Sequence, residues 1–313
     1  MELIVATKEW LSSNFEMKDM GEADCVLGVK IFRDRSKRIL GLSQERYIRK
    51  MLERFRMHES KPIDTPVEKG FTLGLDHCPK AEKEKEEMSW IPYSSAIGSL
   101  TYAMQCTCPD ICYAVGLVSR YQANPGLAHW RAVKRILRDL RGTSDYMLCF
   151  RGADLRLRGY TDADWGSDPD ERKSTSGYVF LLGGGDISWS SKKQKCVVLS
   201  TMESEYIACS ATVQEVVWLW RFLESLNLVR HASEPVTVFT DSMSAIAYAK
   251  DKKYHGRMKH IDIRYHYLRD MTARKEVILT HLPTDQMVAD PMTKPIARDR
   301  FRAHVSTMGL CRP

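Results

Sequence analysis

The sequence predicts an α/β protein: a second half built as a mixed sheet flanked by helices, behind a first half of α+β character. Three observations carry this. From Gly142 onward the apolar periodicity runs in the order βββαβααβα, which places parallel and antiparallel strands in one sheet with helices packed on it. From Tyr93 to Thr143 the pattern is helical in about three segments, separated by Pro109 and by Asn124-Pro125-Gly126. The strand-like alternation from Ala153 to Tyr160 ends abruptly on Asp162 and Asp164. Carboxylates at a strand's end are expensive in a core and cheap at a metal site.

Composition bounds the answer. At 313 residues the chain is long enough for two ordinary domains. Its 43% hydrophobic and 28% charged residues fit a folded globular protein. A net charge of +7 is compatible with a polyanionic partner without requiring one. No apolar run approaches bilayer length, so no membrane partner is expected, and Met1-Glu2-Leu3-Ile4-Val5-Ala6 is too short and too acidic for a signal peptide. Nine cysteines, an odd number without a framework, predict reduced thiols inside a cell. Cys106, Cys108 and Cys112 lack paired spacing and a fourth ligand, so zinc is not expected there.

Taken in order, Trp10 to Phe15 ends a helix, and Cys25 to Phe32 and Ile39 to Leu42 are strands joined by the polar turn Arg33 to Lys37. A helix from Gln44 to about Phe55 carries the stripe Ile48, Met51, Leu52 and Phe55. Pro62 and Pro66 break the chain, and the mixed-charge run Lys80 to Glu87 is expected as an exposed linker or loop. The helix Leu127 to Leu140 sets Arg131, Lys134, Arg135, Arg138 and Arg141 largely outside its apolar face. Those cations, Arg135 and Arg138 in particular, either form a solvated surface or track a phosphate backbone. Five strands follow: Leu155–Thr161, Thr175–Leu182 and Ile187–Ser191, then Val236–Thr240 and Val277–His281. Gly183-Gly184-Gly185-Asp186 closes a hairpin. Helices are expected over Thr201–Leu226, Ser242–Ala249 and Ile261–Ala273, with a short one after Thr284. No glycine-rich phosphate loop occurs.

The acids at element ends are the candidate site. At about 100° per residue, Glu205 lines up with Cys209, Thr212, Val216, Trp220 and Leu223, the buried stripe of its helix. Glu203 lines up with Gln214 and Arg221 and completes a Ser200–Glu203 capping box. Glu203 therefore has a structural role, whereas a carboxylate on an apolar stripe needs a partner. Asp241 either caps the following helix or is freed by Ser242 taking that role. Asp162 and Asp164 are expected to diverge, one facing the site and the other capping, solvating or binding the turn. Asp290 is expected in a short terminal helix limited by Pro291. Four such acids repel. Two divalent cations about 4 Å apart resolve that repulsion, activate a water and stabilise a leaving oxygen. Magnesium suits an all-oxygen set, with manganese as a substitute. His281 helps product leave, moves a proton, or is a structural histidine. Lys252, Lys253, Arg257 and Lys259, with His255 and His260, form either a solvated loop or a phosphate-contacting arm.

Several ordered motifs then carry a resemblance. Tyr160-Thr161-Asp162-Ala163-Asp164-Trp165, Leu199-Ser200-Thr201-Met202-Glu203-Ser204-Glu205-Tyr206, Thr240-Asp241-Ser242, the run from Lys259 to His266, and Val288-Ala289-Asp290-Pro291-Met292-Thr293-Lys294 resemble the ribonuclease H domain of Ty1/copia-type retrotransposons. Upstream, Phe15 to Gly21, Leu27 to Ile31, Tyr93 to Leu100 and Pro109-Asp110-Ile111 are similar to the C-terminal part of the same elements' reverse transcriptase. The resemblance implies a ribonuclease H-like five-stranded sheet preceded by a palm-end, thumb or connection-like segment. It implies a D-E-D-D site on Asp162, Glu205, Asp241 and Asp290, two magnesium ions, and an RNA–DNA hybrid as substrate. The expected division is 1–150 for the reverse-transcriptase part, 151–297 for the ribonuclease H-like domain and 298–313 for a tail. Two departures stand out. No Asp-Asp pair occurs, so the Tyr-x-Asp-Asp polymerase motif is absent and polymerase activity is not expected; the rest of the reverse transcriptase becomes a candidate partner. Cys108 stands where the family often has a basic residue before Pro109-Asp110-Ile111. Both departures suggest a fragment of a decayed or truncated element. The alternative function is a catalytically inactive nucleic-acid-binding remnant, and the expected location is the cytoplasm, in a retroelement particle, or the nucleus.

Overall fold

A computed structural model describes residues 2–152, 155–226, 234–251 and 262–312. The first half opens with α1 (Glu2–Asn14), β1 (Cys25–Val26), β2 (Val29–Asp34), β3 (Ile39–Ser43) and α2 (Glu45–Arg54). It continues with α3 (Glu82–Ser89), α4 (Tyr93–Cys106), α5 (Cys112–Ser119), α6 (Leu127–Gly142) and β4 (Met147–Arg151). Ile48, Met51 and Leu52 of α2 pack with Ala96, Ile97 and Leu100 of α4 and Val133, Ile136 and Leu137 of α6 in one buried cluster. The charged run expected as a linker is helix α3. Its i,i+3 pair Lys85–Glu82 and the closure of its first turn by Glu84, which accepts from the Lys80 and Ala81 N–H groups, make an exposed helix of charged residues.

The second half is the mixed five-stranded sheet. Its elements are β5 (Arg158–Ala163), β6 (Thr175–Leu182), β7 (Gly185–Lys193), α7 (Thr201–Ser225), β8 (Val236–Thr240), α8 (Met243–Lys250), α9 (Asp262–Ala273) and β9 (Val277–His281). Strand order is β7-β6-β5-β8-β9. The β5–β6–β7 meander is antiparallel, and β8 and β9 run parallel to β5. Parallel strands need crossovers, and α7 and the α8–α9 pair supply them. Phe180, Tyr206, Val213, Val216, Val238, Leu268 and Leu279 form the core between sheet and helices. β5 is the central strand and starts later than expected: Leu155 lies outside it and is exposed. Among the described residues no helix is long and apolar enough to cross a membrane.

The stretch expected as a tail is structured. Helix α10 (Arg298–Thr307) and strand β10 (Leu310–Cys311) return to the first half, where β10 pairs antiparallel with β4 and completes the sheet β1-β2-β3-β4-β10. Gly309, at φ +86°, makes the turn; a Cβ there would collide with the backbone of Gly184 and Gly185. The Met308 carbonyl accepts from Asp186 N–H and the Gly309 carbonyl from Cys149 N–H, so this turn is wedged between the two sheets. The pairing also corrects the expectation of nine reduced thiols: Cys149 and Cys311 form a disulfide across β4 and β10, with Cα atoms 6.6 Å apart. The other seven cysteines are free.

Candidate metal centre

Asp162 sits near the end of the central strand β5, opposite Gly177 of β6, and is 1% exposed. The strand ends at Ala163, and there Asp162 and Asp164 part. The Asp164 carboxylate turns onto the following loop and accepts from the Ser167 hydroxyl and the Thr175 N–H. Asp162 instead meets the single 3-10 turn Asp290–Met292. Gly177 permits that approach, because a side chain there would strike Met292 and Thr293.

Glu205 lies one turn into α7 on its buried stripe, with Cys209, Thr212, Val216 and Leu223. Glu203 closes the helix end, accepting from Leu199 N–H at 2.9 Å while its own N–H donates to the Ser200 hydroxyl. Asp241 follows β8. Ser242 caps α8 by accepting from Ala245 N–H at 3.1 Å, which leaves the Asp241 carboxylate available. Ligand oxygens of Asp162, Glu205 and Asp241 lie within 4.8 Å of one another. Asp290 stands beside this trio, joined to it through Lys294, whose Nζ is 3.2 Å from Asp162 Oδ2 and 3.0 Å from Asp290 Oδ1. Arg300 of α10 holds the other Asp290 oxygen at 2.9 Å. The Thr293 hydroxyl donates to Asp162, and the Thr284 hydroxyl to Asp241 at 2.7 Å. Asp290 is therefore in no helix of ordinary length: it belongs to a three-residue turn with Pro291 at its start, and α10 begins only at Arg298.

The electrostatics show an under-compensated site. Burial pushes the Asp162 carboxyl up to about 7 against the pull of Lys294. Burial, then the charges of Asp162 and Asp241, push Glu205 well above the usual carboxylate range. Burial raises Asp290 as well, opposed by Lys294 and Arg300. The Ala163 backbone donates to Glu205, yet its Oε2 is buried without a hydrogen-bond partner. Four carboxylates thus face two nearby cations, and an all-oxygen donor set with an orphaned buried oxygen fits a hard divalent cation. Lys294, Arg300 and Thr293 escaped the sequence reading as site residues. Lys294 lies four residues after Asp290, a spacing that carries a signal only if the turn geometry is known.

The other expected residues fall as follows. His281 is exposed at the end of β9, paired in register with Thr240, the residue before Asp241. Arg135 contacts Glu68 and Thr65, and Arg138 donates to the Lys61 carbonyl at 2.7 Å. Both tie the 61–68 segment to α6, because that irregular stretch offers acceptors no strand or helix satisfies. Lys252, Lys253, Arg257 and Lys259, with His255 and His260, lie outside the described residues.

No protein-family model matches the chain. It is 50% identical over 308 residues to the retrovirus-related Pol polyprotein from transposon TNT 1-94 of Nicotiana tabacum, covering 98% of this chain and 23% of that protein. It is 37% identical over 314 residues to the corresponding polyprotein from transposon RE1 of Arabidopsis thaliana, covering 99% and 20%. Among solved structures, an N-terminal RNase H domain from Mycobacterium tuberculosis, fused to maltose binding protein, is similar at 14% identity and a TM-score of 0.33, over 49% of this chain and 98% of that one.

Fold and acidic cluster together define a mixed five-stranded α/β unit with converging carboxylates at the end of its central strand, behind a largely helical first half. The chain belongs to the Pol polyproteins of copia-type retrotransposons. It spans about a fifth to a quarter of the length of the curated relatives it matches, 20% and 23% for these two.

Proposed function

We propose that the chain hydrolyses the RNA strand of RNA–DNA hybrids in a divalent-cation-dependent reaction, as part of a copia-type polyprotein. One observation carries this: carboxylates from a strand end, a helix stripe and a strand-to-helix junction, far apart in sequence, converge within 4.8 Å with a buried oxygen left unpartnered. Asp162, Glu205 and Asp241 would hold the metal, with Asp290 alongside; magnesium suits this donor set, and manganese is the expected substitute. Bound there, a pair of divalent cations would activate a water and stabilise the departing oxygen of a phosphodiester. Arg300 keeps the Asp290 carboxylate aimed inward, and the Thr284 and Thr293 hydroxyls fix Asp241 and Asp162. His281, exposed beside the Asp241 strand end, would move a proton or ease product departure. The basic residues Lys252, Lys253, Arg257 and Lys259 would grip phosphates, and the hybrid's wide minor groove with one line of 2′-hydroxyls would mark the substrate.

A binding-only remnant would keep the fold and lack turnover; the complete set of four carboxylates favours the catalytic reading. The test is a hybrid labelled on either strand, incubated with the purified chain and Mg²⁺. Cleavage confined to the RNA strand is expected. Binding without any cut would instead establish the remnant.

A further inference from the structure

The four carboxylates are not equivalently served. Asp162 and Asp290 share the Lys294 ammonium, at 3.2 and 3.0 Å, and each has another donor, the Thr293 hydroxyl and Arg300. Glu205 and Asp241 have no ion-pair cation at comparable distance among the described residues; Glu205 Oε2 has no hydrogen-bond partner and no ion pair, whereas Asp290 Oδ1, also without a hydrogen bond, faces Lys294 at 3.0 Å, and Asp241 Oδ2 takes the neutral Thr284 hydroxyl. The arrangement is built by the chain itself. Thr293 N–H and Lys294 N–H both donate to the Asp290 carbonyl, so the turn doubles back and sends the Thr293 hydroxyl and the Lys294 amine onto the acids. Met292 and Ile296, both buried, anchor the turn on either side. The Lys294 side chain is 34% exposed, which gives its four-carbon stem a route out to solvent.

We infer that Lys294 is a built-in counter-cation that fills the gap between Asp162 and Asp290 and competes there with a divalent cation. This rests on the metal-site reading above and sharpens it. An ammonium about 3 Å from both carboxylates and a metal ion ligated by the same oxygens repel too strongly to share the gap. Lys294 also reaches Asp162 Oδ1 at 3.4 Å, but Glu205 and Asp241 have no ion-pair cation of their own among the described residues, so a first ion on their side meets the amine at one ligand only. An ion between Asp162 and Asp290 must first move the amine. The two positions therefore differ in affinity, and the metal-free chain keeps its acidic centre closed by its own charge.

Mn²⁺ titrated into the full chain, with free ion counted by electron paramagnetic resonance, tests this. The unsubstituted chain is expected to show two classes of site whose Kd values differ by about tenfold or more. Lys294→Met, which keeps the length and removes the charge, is expected to bring the weaker class toward the tighter one while lowering Tm in EDTA. A merely structural lysine would lower both Tm and Mn²⁺ affinity, so the sign of the affinity change separates the roles. Weaker-class affinity that is unchanged or reduced in Lys294→Met overturns the inference. So do two equal affinities in the unsubstituted chain, a result that needs no variant to fold. Absence of any Mn²⁺ binding by the unsubstituted chain overturns the metal-site reading itself, an outcome distinct from loss of the competition alone.

Discussion

Asp162 and Asp168 are close in sequence, equally buried and oppositely surrounded. Asp168 is 2% exposed, yet Arg120 at 3.1 Å, Lys193 at 3.3 Å and the Glu171 N–H at 3.0 Å satisfy it. Because Arg120 follows α5 directly and Lys193 belongs to β7, that acid also ties the first half to the second. Asp162 shares a single lysine with Asp290 and stands among acids that burial pushes toward protonation. A buried carboxylate given two cations and a backbone donor is structure. One left short of countercharge, among other acids that are short to different degrees, is a candidate place for an ion.

Substitution breaks the comparison most sharply. Asp168→Asn is expected to destabilise the fold by about 3 kcal/mol, since Arg120 and Lys193 lose a buried partner. The same change at Asp162 is expected to abolish hybrid cleavage with Tm nearly unchanged. Thermal melts beside a cleavage assay decide this, and loss of fold in both variants would erase the distinction. Glu205→Gln and Glu203→Gln repeat the contrast on one helix. Cleavage should vanish in the first; the second should cost about 1 kcal/mol or less, as a weakened helix end does.

Proton linkage gives a subtler effect. Asp162, Glu205 and Asp290 have folded-state pKa values raised above those of an unfolded chain. Between the unfolded value near 4 and the folded value near 7 of Asp162, the native state binds more protons, so the stability contribution of this centre falls as pH rises. Divalent cations bind only the deprotonated form. Mg²⁺ should therefore raise Tm more at pH 8 than at pH 5.5, measured by calorimetry; an equal shift at both would remove the acids from the site. The smallest effect concerns grip. Replacing Lys252, Lys253 and Lys259 by Ala should flatten the log–log salt dependence of hybrid binding by about 0.7–0.9 for each phosphate no longer neutralised. An unchanged slope returns that stretch to a solvated loop.

The second half was legible because its signals are local. The strand readings Thr175–Leu182, Val236–Thr240 and Val277–His281 match the observed bounds, whereas the alternation from Ala153 to Tyr160 overextends the start of β5. Helical phase, with the Ser200–Glu203 capping box, separates Glu205 from Glu203. What escaped depends on long-range return of the chain. The residues after Asp290 carry no periodicity that reveals Lys294 and Arg300 converging on that acid, or α10 and β10 closing a sheet begun at Cys25. Cys149 and Cys311, 162 residues apart, meet only because β10 lands on β4. The charged run of α3 reads as a linker or loop because an exposed helix with i,i+3 pairs and an exposed irregular segment share one composition.

Whether the under-compensated acids hold a working cation decides between enzyme and remnant. The direct measurement is cleavage of a labelled RNA strand in a hybrid by the purified chain, in Mg²⁺ and in EDTA, beside Asp162→Asn. Cleavage in Mg²⁺, none in EDTA and none by the variant is the predicted result. Cleavage that persists in EDTA, or in Asp162→Asn with Mg²⁺, would contradict it.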